Sequence, residues 1–322
     1  MKPTTSPTSL PRTIKAARVH HFGPPEAIVL EDIDRPEPGE GEVLVRVAAA
    51  GVGPWDAWIR AGKSVLPQPL PLTLGSDLSG TIAAIGPGVT GFAPGDDVFG
   101  VTNTRFTDAY AEYAIAVAGM IARKPARIGH VDAASLPVVA VTAWQALFGQ
   151  ARIGREQSVL VLGGAGSVGA CAVQIARRAG ARVIATASAG DLDYVRSLGA
   201  DEAVDRHERL EDRVGPVDAV VDLVGGEAQA ASLAVLKRGG VLVSAVSEPD
   251  QAEAARRGVK AGFFLVQVNT ADLERIAAMV EAGELVTRIG TVLPLAEART
   301  AHEMLDGARP HPSGKIVLRI GS

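Results

Sequence analysis

One stretch limits the possible folds more than any other: Val159-Leu-Val-Leu-Gly-Gly-Ala-Gly-Ser-Val-Gly169. Strand-forming residues run directly into Gly164, Gly166 and Gly169, spaced G-x-G-x-x-G, and a helix-compatible run over Val168 to Ala179 follows. In that setting Gly164 is expected to permit the tight turn, Gly166 to let backbone approach a pyrophosphate, and Gly169 to let helix pack closely on strand. The helix N-terminus offers free N–H groups and a favourable dipole to an anion. Gly164, Ala165, Gly166, Ser167, Val168 and Gly169 are thus the expected phosphate-binding residues, with the Ser167 hydroxyl as a further donor. A glycine triad on its own also suits a strand-to-helix turn that binds nothing, so the neighbouring pattern must decide.

That pattern alternates short apolar strands with helical runs. Strands are expected at Ser158 to Leu162, Arg182 to Thr186, Ala203 to Asp205, Val217 to Asp222 and Gly240 to Val246, and helices at Val168 to Ala179, Leu192 to Leu198 and Ala228 to Leu236. Apolar strands separated by helices indicate an α/β doubly wound parallel sheet, and with it a bound dinucleotide. Before about Ser135 the character differs. From Lys15 to about Tyr113 the chain is dense in Gly and Pro, with short runs such as Glu42 to Ala48 and Ser79 to Ile85, which predicts a small, mostly β domain. Near the end, a helix from Asn269 or Thr270 puts Leu273, Ile276, Ala277 and Val280 on one face and stops at Gly283, a second helix runs from about Leu295 to Leu305, and a last strand covers Lys315 to Ile320.

Dinucleotide enzymes that use NAD carry an acidic residue for the ribose 2′-hydroxyl about 20 residues beyond the glycines. Here that spacing lands on Thr186, Ala187 and Ser188; no carboxylate repels a 2′-phosphate, and Ser188 can donate to it. NADPH is therefore the expected coenzyme. The expected cation is Arg206, after the third strand, ahead of Arg177 and Arg182, with an ordinary solvated arginine as the plainer reading of Arg206. Asp191 and Asp193, the competing NAD reading, are expected to fall in the next helix. Cys171, the only cysteine, reads as a small core residue, because nothing nearby in sequence would lower its pKa.

Composition narrows the class. Of 322 residues 47% are hydrophobic and 21% charged, with a net charge of −4 and no basic run, so nothing marks a nucleic-acid interface. No apolar stretch approaches the roughly 20 residues that span a bilayer. Residues 1–14, rich in Pro, Thr and Ser, read as a disordered leader rather than a targeting sequence, and a cytoplasmic location is the expectation.

Several segments carry a family resemblance: Ala49-Ala-Gly-Val-Gly-Pro-Trp-Asp-Ala-Trp-Ile-Arg-Ala-Gly62, Leu74-Gly-Ser-Asp-Leu-Ser-Gly80, Gly91-Phe-Ala-Pro-Gly-Asp-Asp-Val-Phe-Gly100, Leu136-Pro-Val-Val-Ala-Val-Thr-Ala-Trp144 and Gly314-Lys-Ile-Val-Leu318. In order and spacing, over nearly all of Lys15 to Ile320, the chain resembles the zinc-free quinone oxidoreductase branch of the medium-chain dehydrogenase/reductase superfamily. The resemblance implies a GroES-like β domain from residues 15–135 and 284–322, a Rossmann domain from residues 136–283, and a homodimer. It also implies that Thr142 contacts the nicotinamide region, that Gly53, Pro54 and Trp58 line the cleft, that Ala245 and Val246 follow the strand ending beside the nicotinamide ribose, and that Phe263, Phe264 and Val266 belong to the segment covering the ring, Phe264 also facing the substrate. For each aromatic, plain core packing is the alternative.

Zinc members of the superfamily need a thiolate in the first of these segments, a His-Glu pair in the second and a lobe of four cysteines. This chain has Gly51-Val-Gly-Pro, Ser76-Asp77 and one cysteine, so no metal is expected. Without a Lewis acid, conjugated acceptors are the natural substrates, because charge arriving with hydride spreads into an enolate or hydroquinone anion. The expectation is thus an NADPH-dependent reductase of quinones or α,β-unsaturated carbonyls. The family commonly has Asn where this chain has Gly53, and no acid or base stands out; Asp56, the nearest ionisable group, reads as a helix-capping carboxylate. An NADP(H)-binding redox sensor or structural homologue with little turnover, and an enoyl-thioester reductase, are the alternatives.

Overall fold

A computed structural model describes residues 10–320. Of the leader expected over residues 1–14, residues 1–9 lie outside the described part, and a strand already begins at Thr13 because its backbone pairs with a neighbour from Asp34 onward. The elements of the first part are β1 (Thr13–Val19), β2 (Ile28–Asp34), β3 (Glu42–Val52), α1 (Pro54–Arg60), β4 (Leu72–Thr73), β5 (Asp77–Ile85), β6 (Asp97–Val101), β7 (Tyr113–Val117) and β8 (Ile121–Arg123). Short helices α2 (His130–Ala134) and α3 (Pro137–Trp144) follow, the latter running on as a π-turn over Gln145–Gln150. Sequence periodicity does not reveal α3, because every residue from Pro137 to Ala143 is buried and no polar face marks the helical repeat.

Next come β9 (Ser158–Leu162), α4 (Ser167–Arg178), β10 (Arg182–Ala187), α5 (Leu192–Ser197), β11 (Glu202–Asp205), α6 (Leu210–Arg213), β12 (Val217–Asp222), α7 (Gly226–Ser232), β13 (Leu236–Ser244), α8 (Gln251–Arg257) and β14 (Lys260–Phe263). Six of these strands form one sheet in the order β11-β10-β9-β12-β13-β14, with every pairing parallel. The side-chain period of two explains its layering. Val159, Val161, Val183, Ala185, Val221 and Val243 join the core on one face, while Leu160, Leu162, Ile184, Val220 and Leu242 join that on the other. Both faces are covered, which is why these strands read as unbroken apolar runs.

The boundaries around β13 depart from expectation. β13 starts at Leu236, not Gly240, and ends at Ser244; α7 stops at Ser232, short of Leu236. The register slips between Val217↔Leu236 and Ala219↔Val241, so Gly239 (φ +82°) and Gly240 form an irregularity inside the strand instead of opening it.

The chain closes with α9 (Thr270–Glu281), β15 (Ile289–Pro294), α10 (Ala298–Leu305) and β16 (Lys315–Arg319). β16 pairs antiparallel with β3, Ile316 opposite Val52, within a sheet ordered β15-β16-β3-β5-β6-β8, with β7 also on β3. The end of the chain thereby lies against the strand that leads into α1. No helix among the described residues is long and apolar enough to cross a membrane.

Candidate coenzyme and acceptor site

The order of the six-stranded sheet reverses at β9, and in such sheets ligands bind beyond the strand C-termini at that point. The glycine turn sits there. The left-handed residue of the turn is Gly163 (φ +78°), which corrects the expectation for Gly164. Gly164 is needed for a different reason: a Cβ there would stand 2.7 Å from Ala185 Cβ on the adjacent strand. At Gly169 a Cβ would run into the Gly163 carbonyl oxygen and come within 2.8 Å of Gly164 Cα. Gly166 has free space around it, its nearest protein atom being 3.4 Å from an ideal Cβ. Thr186, which sequence reasoning left without a role in the turn, holds it from both sides: its Oγ1 accepts from Gly163 N at 3.0 Å and its carbonyl from Gly164 N at 2.8 Å.

Gly166 caps α4 without a side-chain hydrogen bond, and the first helical turn carries no acidic residue. The positive end of a twelve-residue helix is therefore uncompensated by protein, while Arg177 and Arg178 balance its C-terminus. The residues present fit a dinucleotide pyrophosphate.

Ser188 follows β10 directly, and its Oγ donates to Asp191 Oδ2 at 2.7 Å. Asp191 lies in the turn ahead of α5, not inside the helix as expected, because the helix starts only at Leu192. Asp193 is in the helix and pairs with Arg196. Arg206 is exposed and its backbone N–H donates to Ala187 O at 2.8 Å, which fixes it beside the end of β10. Arg177 and Arg182 pair with Asp201 and Glu202 near the start of β10, the wrong end of a parallel sheet for the ligand. Missed altogether was Arg288, from the segment between α9 and β15: its Nη1 lies 3.3 Å from Asp191 Oδ1 and its guanidinium 4.5 Å above the Tyr194 ring. With Ala165 and Ser167 of the glycine turn, Arg288 and Tyr194 line a small cavity.

The ends of β12 and β13 are tied by Asp222, a fully buried carboxylate that accepts from Ser244 Oγ (2.7 Å), Gln229 Nε2 (2.9 Å) and Gly225 N (2.9 Å). Ala245 and Val246 follow β13, with Ala245 N on Asp222 O and Val246 N on Ser244 Oγ. Phe263 ends β14, and Phe264 N donates to Ser244 O at 3.0 Å. Phe264 and Val266 are half-buried against the larger core. Thr142 is buried on α3 and its hydroxyl donates to Val138 O at 2.7 Å.

On the opposite side, Gly53 caps α1 and donates its N–H to Asp56 Oδ2 at 2.8 Å, which makes Asp56 a capping carboxylate. Pro54 and Trp58 are exposed on α1, whereas Trp55, not singled out from the sequence, is half-buried. Trp55 Nε1 donates to Ser76 Oγ at 3.0 Å, and the Lys315 ammonium sits 4.4 Å over its ring. Below lies a fully buried cluster. Tyr110 donates to Asp56 Oδ2 at 3.1 Å, and Lys315 reaches Asp77 Oδ2 at 3.5 Å. Burial pushes Asp56 up to about 7 and Asp77 up to about 6, with the Lys315 charge acting against both shifts. Cys171 is buried and its thiol is pushed up to about 12, as suits a core residue.

Two family models match: an alcohol dehydrogenase GroES-like domain over residues 39–126 and a zinc-binding dehydrogenase over residues 198–318. The second description implies zinc, and the donors present do not fit it. Among the described residues no three His, Cys, Asp or Glu side chains converge, Asp77 is committed to Lys315 and Val138 N, and Ser76 to Trp55. Curated relatives include a human quinone oxidoreductase, 30% identical over 96% of this chain and 98% of its own, and an Arabidopsis thaliana NADPH-dependent alkenal/one oxidoreductase, 32% identical over 98% and 81%. The solved quinone oxidoreductase of Coxiella burnetii superposes with a TM-score of 0.89 at 33% identity, covering 96% of this chain and all of the other.

Proposed function

The chain belongs to the quinone oxidoreductase branch of the medium-chain dehydrogenase/reductase superfamily, and from that premise we propose that it is an NADPH-dependent reductase delivering hydride to a quinone or an α,β-unsaturated carbonyl compound. The observation that carries the reading is the uncapped α4 N-terminus and its glycine turn, an anion cradle at the sheet's switch point. Gly164 to Gly169 would hold the pyrophosphate. Ala245, Val246, Phe263, Phe264, Val266 and Thr142 would border the nicotinamide, and Gly53, Pro54 and Trp58 the acceptor. A bound nicotinamide coenzyme supplies the hydride. The protein's own part is positioning and exclusion of water. Tyr110 and Asp56 are fully buried, so neither presents its proton to the cleft, and solvent is the proton source in this reading. A homodimer, with β14 as one of the two free sheet edges, belongs to the same reading.

The direct test follows oxidation of NADPH and NADH with a quinone, an alkenal, an enoyl thioester and a simple ketone. Turnover of the quinone or alkenal supports the proposal; oxidation with the ketone alone sinks it. Tight NADPH binding without turnover of any acceptor would mark a binding protein instead.

For the 2′-phosphate the supports are Ser188, Arg206 and, nearest the glycine turn, Arg288. Charge-assisted hydrogen bonds contribute about 1.5–3 kcal/mol, so Arg288→Ala is expected to weaken NADPH about tenfold or more while NADH changes less than about threefold. Ser188→Asp, which adds a second carboxylate beside Asp191, is expected to move the preference toward NADH. Fluorescence titration of both coenzymes reads both results, and an unchanged preference in the two variants would show that the phosphate lies elsewhere.

A further inference from the structure

We infer that Trp55 forms the floor of the acceptor cleft in the space that a side chain at position 53 would fill, and that it selects planar, ring-conjugated acceptors over acyclic ones. The inference rests on the reductase reading above. Its basis is a steric exchange. A Cβ built on Gly53 would come within 2.5 Å of Trp55 Cζ2, with the nearest ring atoms closer still, so the indole and a side chain at 53 cannot occupy the site together. Gly53 is extended (φ −132°), a backbone open to any residue, so the indole and not the backbone angle demands glycine there.

Two anchors hold the ring: Ser76 Oγ accepts its N–H at 3.0 Å, and the Lys315 ammonium lies 4.4 Å from its centroid. Trp55 also packs against the larger core cluster, which contains the α3 residues Val138 to Val141. Trp58, which the resemblance favoured, is 48% exposed. With its only donor already engaged, the indole offers an acceptor apolar, polarisable surface and no hydrogen bond. A flat conjugated ring uses such a surface through offset or edge-on stacking, whereas an acyclic enal covers little of it. An asparagine at 53 would instead have supplied an orienting amide.

The experiment compares kcat/KM for 1,4-naphthoquinone and for an acyclic 2-alkenal, with NADPH, in the wild type, Trp55→Val and Trp55→Phe. Loss of a stacking platform is expected to lower quinone turnover about tenfold in Trp55→Val, with less than about threefold change for the alkenal and near-wild-type quinone turnover in Trp55→Phe. Equal losses for both acceptors, or none, overturn the inference alone. A wild-type chain that reduces neither acceptor overturns the reductase reading and the inference with it. Thermal unfolding gives a second readout independent of turnover. Gly53→Asn is expected to lower the unfolding temperature and Gly53→Asn with Trp55→Val to restore it; a Gly53→Asn variant as stable as the wild type contradicts the exchange.

Discussion

Gly166→Ala is expected to leave the fold intact and to remove most of the coenzyme affinity, whereas Gly169→Ala damages both. The two positions belong to one motif but face different neighbours. A Cβ at Gly166 meets nothing closer than 3.4 Å within the protein, so unfolding should shift little; the added methyl is instead expected to crowd an anion held at the uncapped α4 N–H groups. Losing one charge-assisted hydrogen bond, about 1.5–3 kcal/mol, weakens NADPH binding on the order of 10- to 100-fold. At Gly169 the Cβ collides with Gly163 backbone, and the overpacking costs about 1–3 kcal/mol in addition to opening the turn. Paired titration and thermal unfolding of the two variants checks this. Should Gly166→Ala bind NADPH like the wild type, the pyrophosphate does not use this turn.

Lys315→Met is expected to be the most destabilising single change around the cleft, at about 3–5 kcal/mol, because it strips the only cation from a buried carboxylate. Lys315 and Asp77 are 3% and 0% exposed, and the same ammonium holds the Trp55 ring. The sign of the pH effect follows from proton uptake. Asp56 and Asp77 have folded-state pKa values raised to about 7 and about 6, above their ordinary 3.8, so the folded chain binds more protons than the unfolded one between those limits. Their contribution therefore favours folding as pH falls from about 7 toward 4 and opposes it above. His302 acts in the reverse direction: burial and then the Arg60 charge depress it from 6.5 to about 3, so its share of stability is present above 6.5 and lost as pH falls toward 3. In Lys315→Met the carboxylate slope steepens, since only the hydrogen bond from Val138 N then offsets the burial of Asp77. Chemical unfolding at pH 5.5 and pH 8 should show a larger deficit for the variant at pH 8; equal deficits at both would mean that Asp77 does not ionise in this range.

The glycine turn between β9 and α4 was legible because everything it needs is contiguous. Strand, glycines and helix occupy Val159 to Ala179, and each glycine's neighbours lie within that stretch or one strand away. Even so, spacing assigned the left-handed turn to Gly164, while the backbone places it at Gly163, since a consecutive pair of glycines leaves the choice to the packing of Ala185. The resemblance pointed to Trp58; Trp55 sits on the same short helix, and which of them turns inward depends on Ser76 and Lys315, far away in sequence. Arg288 carried no signal at all, because nothing local distinguishes it from other surface arginines until Asp191, 97 residues earlier, lies beside it.

The sequence by itself determined the parallel α/β sheet, its glycine-rich strand-turn-helix, and the absence of the thiolates that a zinc member requires, because those properties follow from residue type and short-range periodicity. Only the tertiary structure decided that Trp55 on α1 turns inward to Ser76 and that Arg288 stands beside Asp191 in the turn after β10. Lys315 reaches Asp77 across 238 residues, and such pairings depend on how β16 docks against β3, a long-range register that no local pattern encodes.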